Sequence, residues 1–303
     1  MGKTMCRSSS SPWLLQRCFM VCLLASVMGS PVVKAEGQIV QPNPLPRVVL
    51  ADQEALKTLP PTLLAADFVD RVIHDLPVSN HLALLAAFDP VQLDAALHTP
   101  PQQLAFWINV YNGYTQHYLK TDPSTYLQDR SRHFRLARLQ IAGSAVSLED
   151  IEHGVLRRGA TIWTLGHWRW LAIRSAFVRR FAVDAVDYRI HFALNCGALS
   201  CPPVMPYLPE SLDAQLDAIT CFYLAREARY DANAGTAVVP ALLRWFSADF
   251  AGGSADAKRA ILRRYGVIPE GVEPSIRYAP YDWTLKVQNY AAYRVVPNPQ
   301  SKP

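Results

Sequence analysis

The sequence predicts an α+β fold: a predominantly helical single domain with a small sheet carrying the strand 187–195. Three observations point there. Apolar residues recur at helical spacing between residues 67 and 119. Short extended signals recur at 133–142, 187–195, 238–240 and 275–279. No internal repeat, and no linker long enough to divide the chain, follows its N-terminal segment.

Of the 303 residues, 50% are hydrophobic and 18% charged, which places the chain outside the disordered class. The net charge of +5 comes without a run of Lys or Arg, and no aromatic-basic motif marks a nucleic-acid surface.

The N-terminus reads as a targeting segment. Lys3, Arg7 and Arg17 form a positive region, and an apolar run from Cys18 to Met28 follows. That run is too short to span a bilayer comfortably. Val33-Lys34-Ala35 fits a cleavage site, so residues 1–35 are expected to be a signal peptide and Glu36 the first mature residue. The expected location is periplasmic or secreted, with no stable membrane span after cleavage. Cys196, Cys201 and Cys221 would remain, an odd number in an oxidising compartment, and the sequence leaves their pairing open.

Pro42, Pro44 and Pro46 mark 36–64 as an extended leader running into a short helix. The helical pattern then covers 67–76, 79–88 and 90–97. Thr99-Pro100-Pro101 starts another helix, 101–119. Asn109, Asn112 and Gln116 share one line on that otherwise apolar helix, and such groups are costly to bury without partners. Either they tie loops to the helix through backbone bonds, or one of them lines a site. Gly113, costly inside a helix, implies close approach by another element.

Ser147 with Asp150 forms a capping box for a helix that aligns Glu149, His153 and Arg157 at i, i+4 and i+8. A solvated or salt-bridged surface cluster is one reading of that face. The Trp- and Arg-rich stretch 159–180 reads as a variable insertion. In 187–195, Ile190, Phe192 and Leu194 alternate with Arg189, His191, Ala193 and Asn195, which predicts a strand ending at Cys196-Gly197. Helices at 210–229, 241–246 and 255–265, and strands near 238–240 and 275–279, complete the chain, with a polar tail at 296–303.

Four ordered stretches carry a resemblance. They are Phe106–Asn112, Leu148–Arg157, Arg189–Pro203 and Tyr281–Trp283, and together they closely resemble the DUF547 family, found in exported bacterial and in plant proteins. The resemblance covers roughly 65–295 and implies no established activity. Lys286 and Tyr188 depart from the family pattern. The resemblance also implies a more regular position for Cys196 than for Cys201, which fits a functional thiol better than an obligatory bridge between them.

The residues then support two functions. The first is a periplasmic binding or scaffold module with an unknown small-molecule, peptide or envelope partner, in which the cysteines are bridged and His153 is ion-paired. The second is a thiol-dependent hydrolase or acyltransferase. Cys196 would be the nucleophile and His153 the base, with Glu149, Asn109 or Asn112 orienting the imidazole. His191 is closest to Cys196 in sequence, but along an extended strand the two would stand about 16 Å apart. No cofactor is expected. A metal site from His153, His191 and Cys196 lacks close-spaced ligand pairs. A redox pair at Cys196 and Cys201 lacks the Cys-x-x-Cys spacing.

Overall fold

The computed structural model describes residues 32–33, 39–40, 56–160, 165 and 175–291. The expected signal peptide falls outside them, apart from β1 (Val32–Val33), which pairs antiparallel with β2 (Ile39–Val40). Most of the Trp- and Arg-rich stretch also falls outside.

The fold is built on one helix. α1 (Pro61–Ile73), α2 (Ser79–Ala87) and α3 (Pro90–Ala96) lead into α4 (Pro100–Thr121). Thr99 and Gln102 cap α4 reciprocally, and prolines occupy its first turn, where no N–H is needed. Every residue from Leu104 to Gln116 is buried, so α4 is a core helix rather than an amphipathic one. Trp107 packs edge-on against Phe106, Phe177 and Phe181 at 4.8, 5.6 and 5.3 Å between ring centroids. Each such buried ring is worth about 1.5–3 kcal/mol of apolar transfer. Gly113 answers the expectation of a close approach. A Cβ there would stand 2.5 Å from the Phe68 ring of α1.

Two short helices, α5 (Ser124–Gln128) and α6 (Arg130–Arg135), carry the chain to a hairpin of β3 (Leu139–Ile141) and β4 (Ser144–Val146). The Ser147–Asp150 capping box forms, but the helix it opens is wound as a π-helix over Asp150–Leu156. Wider turns of this kind recur at functional sites. Beyond α7 (Ala176–Phe181), a second core gathers around Phe192, Tyr223, Phe246 and Phe250. α8 (Leu212–Glu227), α9 (Leu242–Trp245) and α10 (Ala255–Arg264) enclose it with a three-stranded sheet. In that sheet β5 (Arg229–Asp231) runs antiparallel to β6 (Thr236–Val239), and β6 runs parallel to β7 (Ser275–Tyr278).

The fold is thus helix-dominated α+β, as the sequence predicts, with one correction. Residues 187–195 are not a strand and no sheet carries them. Tyr188–Phe192 is a 3₁₀ turn capped by the Asp187 carboxylate on the Arg189 N–H. All residues from Ile190 to Asn195 are buried, so the apparent alternation separates no inner face from an outer one. A short apolar run cannot report its own period when all its sides are covered.

Candidate functional site

The polar line on α4 explains how the cysteine loop is held. Asn112 donates to the Ala193 carbonyl at 2.9 Å and accepts from the Asn195 N–H at 2.9 Å. Gln116 donates to the Asn195 side chain at 3.0 Å. Asn195 in turn donates to the Pro202 carbonyl and accepts from the Gly197 N–H. Asn109 grips the Tyr207 backbone in both directions, at 2.7 and 2.9 Å. Both α4 asparagines are therefore buried with their amides committed to backbone. They fix the loop that carries the cysteines and the chain just after it.

A second clamp comes from the C-terminal segment. Leu199 and Ser200 N–H groups donate to the carbonyls of Thr284 and Asp282, and Lys286 N–H donates to Gly197. Val204 bonds to Asn289 and Ala291 in the same way. The Tyr281–Trp283 stretch is thereby laid beside the cysteine loop.

Within this frame the two sulfurs touch. Cys196 Sγ and Cys201 Sγ are 2.8 Å apart, and neither is in a disulfide. Cys201 is fully buried and accepts from the Cys196 N–H at 3.1 Å. The Tyr281 hydroxyl reaches Cys201 at 3.1 Å and Cys196 at 3.5 Å. Burial opposes a charge on Cys201, but the Cys196 thiol, the Tyr281 hydroxyl and backbone N–H groups outweigh it and hold this thiol below the ordinary range. Cys196 is pushed the other way, first by its hydrogen bond to Cys201 and then by burial.

Cys196 forms part of the wall of a half-enclosed cavity of about 410 Å³. This is within the size range of small-molecule pockets, roughly 300–1,000 Å³. One side is aromatic. Trp245, Tyr281 and Trp283 cluster with centroid separations of 4.9, 5.6 and 4.6 Å, and Phe246 adjoins them. The other side is polar, with Glu149, Glu152, His153 and His191. Arg130 and Arg135, both on α6, add positive charge. The Arg130 guanidinium lies 4.0 Å from the centre of the Trp283 ring, and among the described residues it forms no ion pair.

Of the residues expected at a site, Cys196, His153, Glu149 and His191 come together on this cavity, and Asn109 and Asn112 do not. The 16 Å separation of His191 from Cys196 assumed a strand that is absent. His191 instead stacks flat on Phe246 at 4.0 Å and is hydrogen-bonded through Nε2 to the Asp249 carboxylate at 2.9 Å. Asp249 also accepts from Arg157 Nε at 2.6 Å, and Arg157 Nη1 bonds His153 Nδ1 at 3.0 Å. The face read as a surface cluster is a core network in which Arg157 is fully buried.

This network sets the imidazole of His153. Arginine only donates, so Nδ1 must accept and the neutral ring keeps its proton on Nε2. Burial lowers the His153 pKa, and the neighbouring Arg157 lowers it further against the pull of Glu152. Burial lowers His191 as well, despite Asp249. Asp249 stays below the usual carboxylate range: burial opposes this, but His191 and Arg157 prevail. Glu149 is raised by burial. Tyr111 donates to Glu152 at 2.8 Å and is pushed well up by burial and by that carboxylate.

Sequence reasoning missed Tyr111, Glu152, Arg130, Trp245 and Asp249. Glu152 lies beside His153 inside a quoted motif, and Tyr281–Trp283 was itself quoted but given no role. Asp249 carried no signal, since it reads as a spacer between two helices.

Residues 96–224 match the family described as "Protein of unknown function, DUF547". No curated protein and no solved structure matches the chain. The matched segment holds α4, the π-helix, both contacting cysteines and most of α8, whereas the aromatic wall at 245–246 and 281–283 lies beyond it. Over residues 96–224, then, the chain is similar to the DUF547 family.

Proposed function

We propose that the chain is a ligand-binding module whose cavity takes a small molecule with a flat apolar body and one anionic group. The observation that carries this is Arg130. It lies on the Trp283 ring at the cavity wall with no ion-pair partner among the described residues. The acidic groups nearby are already answered: Glu152 by the Tyr111 hydroxyl and Glu149 electrostatically by Arg135. An anion against Arg130 and a flat group against Trp245 and Trp283 would satisfy both walls. A guanidinium on an aromatic face is worth about 0.5–2 kcal/mol, and an incoming carboxylate can add a charge-assisted bond. The signal-like N-terminus supports a periplasmic or secreted location.

The test is a thermal-shift and tryptophan-fluorescence titration with small aromatic carboxylates, each paired with its neutral amide. Carboxylates should bind more tightly than amides, and Arg130→Ala should remove the difference. Equal binding of both, or binding untouched by Arg130→Ala, would contradict the proposal.

A second reading, thiol-dependent hydrolysis or acyl transfer at Cys196, is favoured by the place of this residue on the cavity wall. In that reading the buried Cys201 sulfur, 2.8 Å away, is the group within reach of the Cys196 proton. His153, with Nδ1 taken by Arg157, would offer Nε2–H to a developing oxyanion. Turnover of an activated thioester, lost in Cys196→Ala, is the experiment for it.

A further inference from the structure

We propose that Cys196 and Cys201 form a redox-active dithiol that exchanges with low-molecular-weight disulfides entering through the cavity. The inference does not depend on what the cavity's aromatic wall binds. It stands on three features of the geometry. The two sulfurs are already in contact at 2.8 Å, so bond formation to about 2.05 Å needs less than 1 Å of motion. They are unequal in access: Cys196 is on the cavity wall and Cys201 is fully buried behind it. Their loop is fixed from both sides, by Asn112 and Gln116 and by the segment 282–291. A four-residue spacing between the cysteines argues against such a pair only while the loop conformation is unknown.

The arrangement assigns the roles. With one of the two thiols deprotonated, their 2.8 Å contact lets Cys201 hold the remaining proton while Cys196 attacks as the thiolate. It displaces one thiolate from the incoming disulfide and forms a mixed disulfide. The departing thiolate takes the proton from Cys201. Cys201 then attacks the Cys196 sulfur, releasing the second thiolate and closing the Cys196–Cys201 bond. The protein loses two electrons and one proton, and the disulfide becomes one thiol and one thiolate. The Tyr281 hydroxyl, within reach of both sulfurs, donates to whichever carries the charge.

The experiment treats the reduced full chain with bis(2-hydroxyethyl) disulfide and maps the products by mass spectrometry after alkylation. The expected result is loss of both thiols, a Cys196–Cys201 crosslink and no retained hydroxyethylthio group on either. In Cys201→Ser the same reagent should leave a stoichiometric adduct on Cys196 that does not resolve. The wild-type chain alone decides the matter should that variant fold poorly. A persistent adduct on wild-type Cys196, a Cys201–Cys221 crosslink, or no reaction at Cys196 would each overturn the proposal.

Discussion

Arg157 donates to Nδ1 of His153 at 3.0 Å, and this bond decides what the imidazole can do. A general base needs a bare Nε2, which requires an acceptor on the other ring nitrogen, as a carboxylate provides. A guanidinium enforces the opposite tautomer. Nitrogen-15 NMR should therefore find His153 neutral with its proton on Nε2 near neutral pH. The pH profile of Cys196 alkylation should not move in His153→Ala. A profile that loses its low-pH limb in that variant would restore His153 as the base.

The Arg157–Asp249 pair, with side chains 0% and 1% exposed, joins the π-helix to the segment after α9. Removing one member strands the other, which costs about 3–5 kcal/mol for a buried pair. Asp249→Ala should lower unfolding stability in urea by about that amount. Exposed pairs such as Arg180–Asp94 should matter by less than ~1 kcal/mol.

Asn112 provides a sharper test of how the cysteine loop is held. Asn112→Ala removes the partners of the Ala193 carbonyl and the Asn195 N–H in the core. Each orphaned group should cost about 1–3 kcal/mol. Denaturant titration reads that cost, and cysteine labelling at subdenaturing urea should become faster in the variant as the loop opens.

Acid should destabilise the fold through its histidines. Burial, with Arg138 adding to it, lowers His133 to about 4, and burial lowers His153 and His191 as well. Unfolded histidines take up protons near pH 6.5, while these three stay neutral in the fold. The unfolded chain then binds more protons, so stability rises with pH across this window. It is fully present above about pH 6.5 and is lost as pH falls from there through the folded values, by ~1.4 kcal/mol per pK unit displaced. Urea midpoints at about pH 7.5 and pH 4.5 check the sign, and His133→Gln should flatten the slope.

Much of this was legible because local chemistry and tertiary packing agreed. Thr99 before two prolines fixed the start of α4, and Gly113 announced the approach of Phe68. The Asn109–Asn112–Gln116 line announced buried partners, which are backbone for the two asparagines and the Asn195 side chain for Gln116. The stretch 187–195 misled because apolar residues on every side of a buried turn imitate a strand, although Asp187 is the kind of residue that caps a turn. Asp249 and the Tyr281–Trp283 wall could not be placed, because Asp249 meets His191 at a separation of 58 residues and Tyr281 meets Cys201 at one of 80, which no local pattern encodes.

The most direct test of the ligand-binding account is competition at one sulfur. Cys196 alkylation by iodoacetamide should slow as an aromatic carboxylate fills the cavity, with a midpoint equal to its fluorescence dissociation constant. Arg130→Ala should weaken both together. Alkylation of Cys196 that is indifferent to carboxylates bound by fluorescence, or protection that survives Arg130→Ala undiminished, would contradict the account.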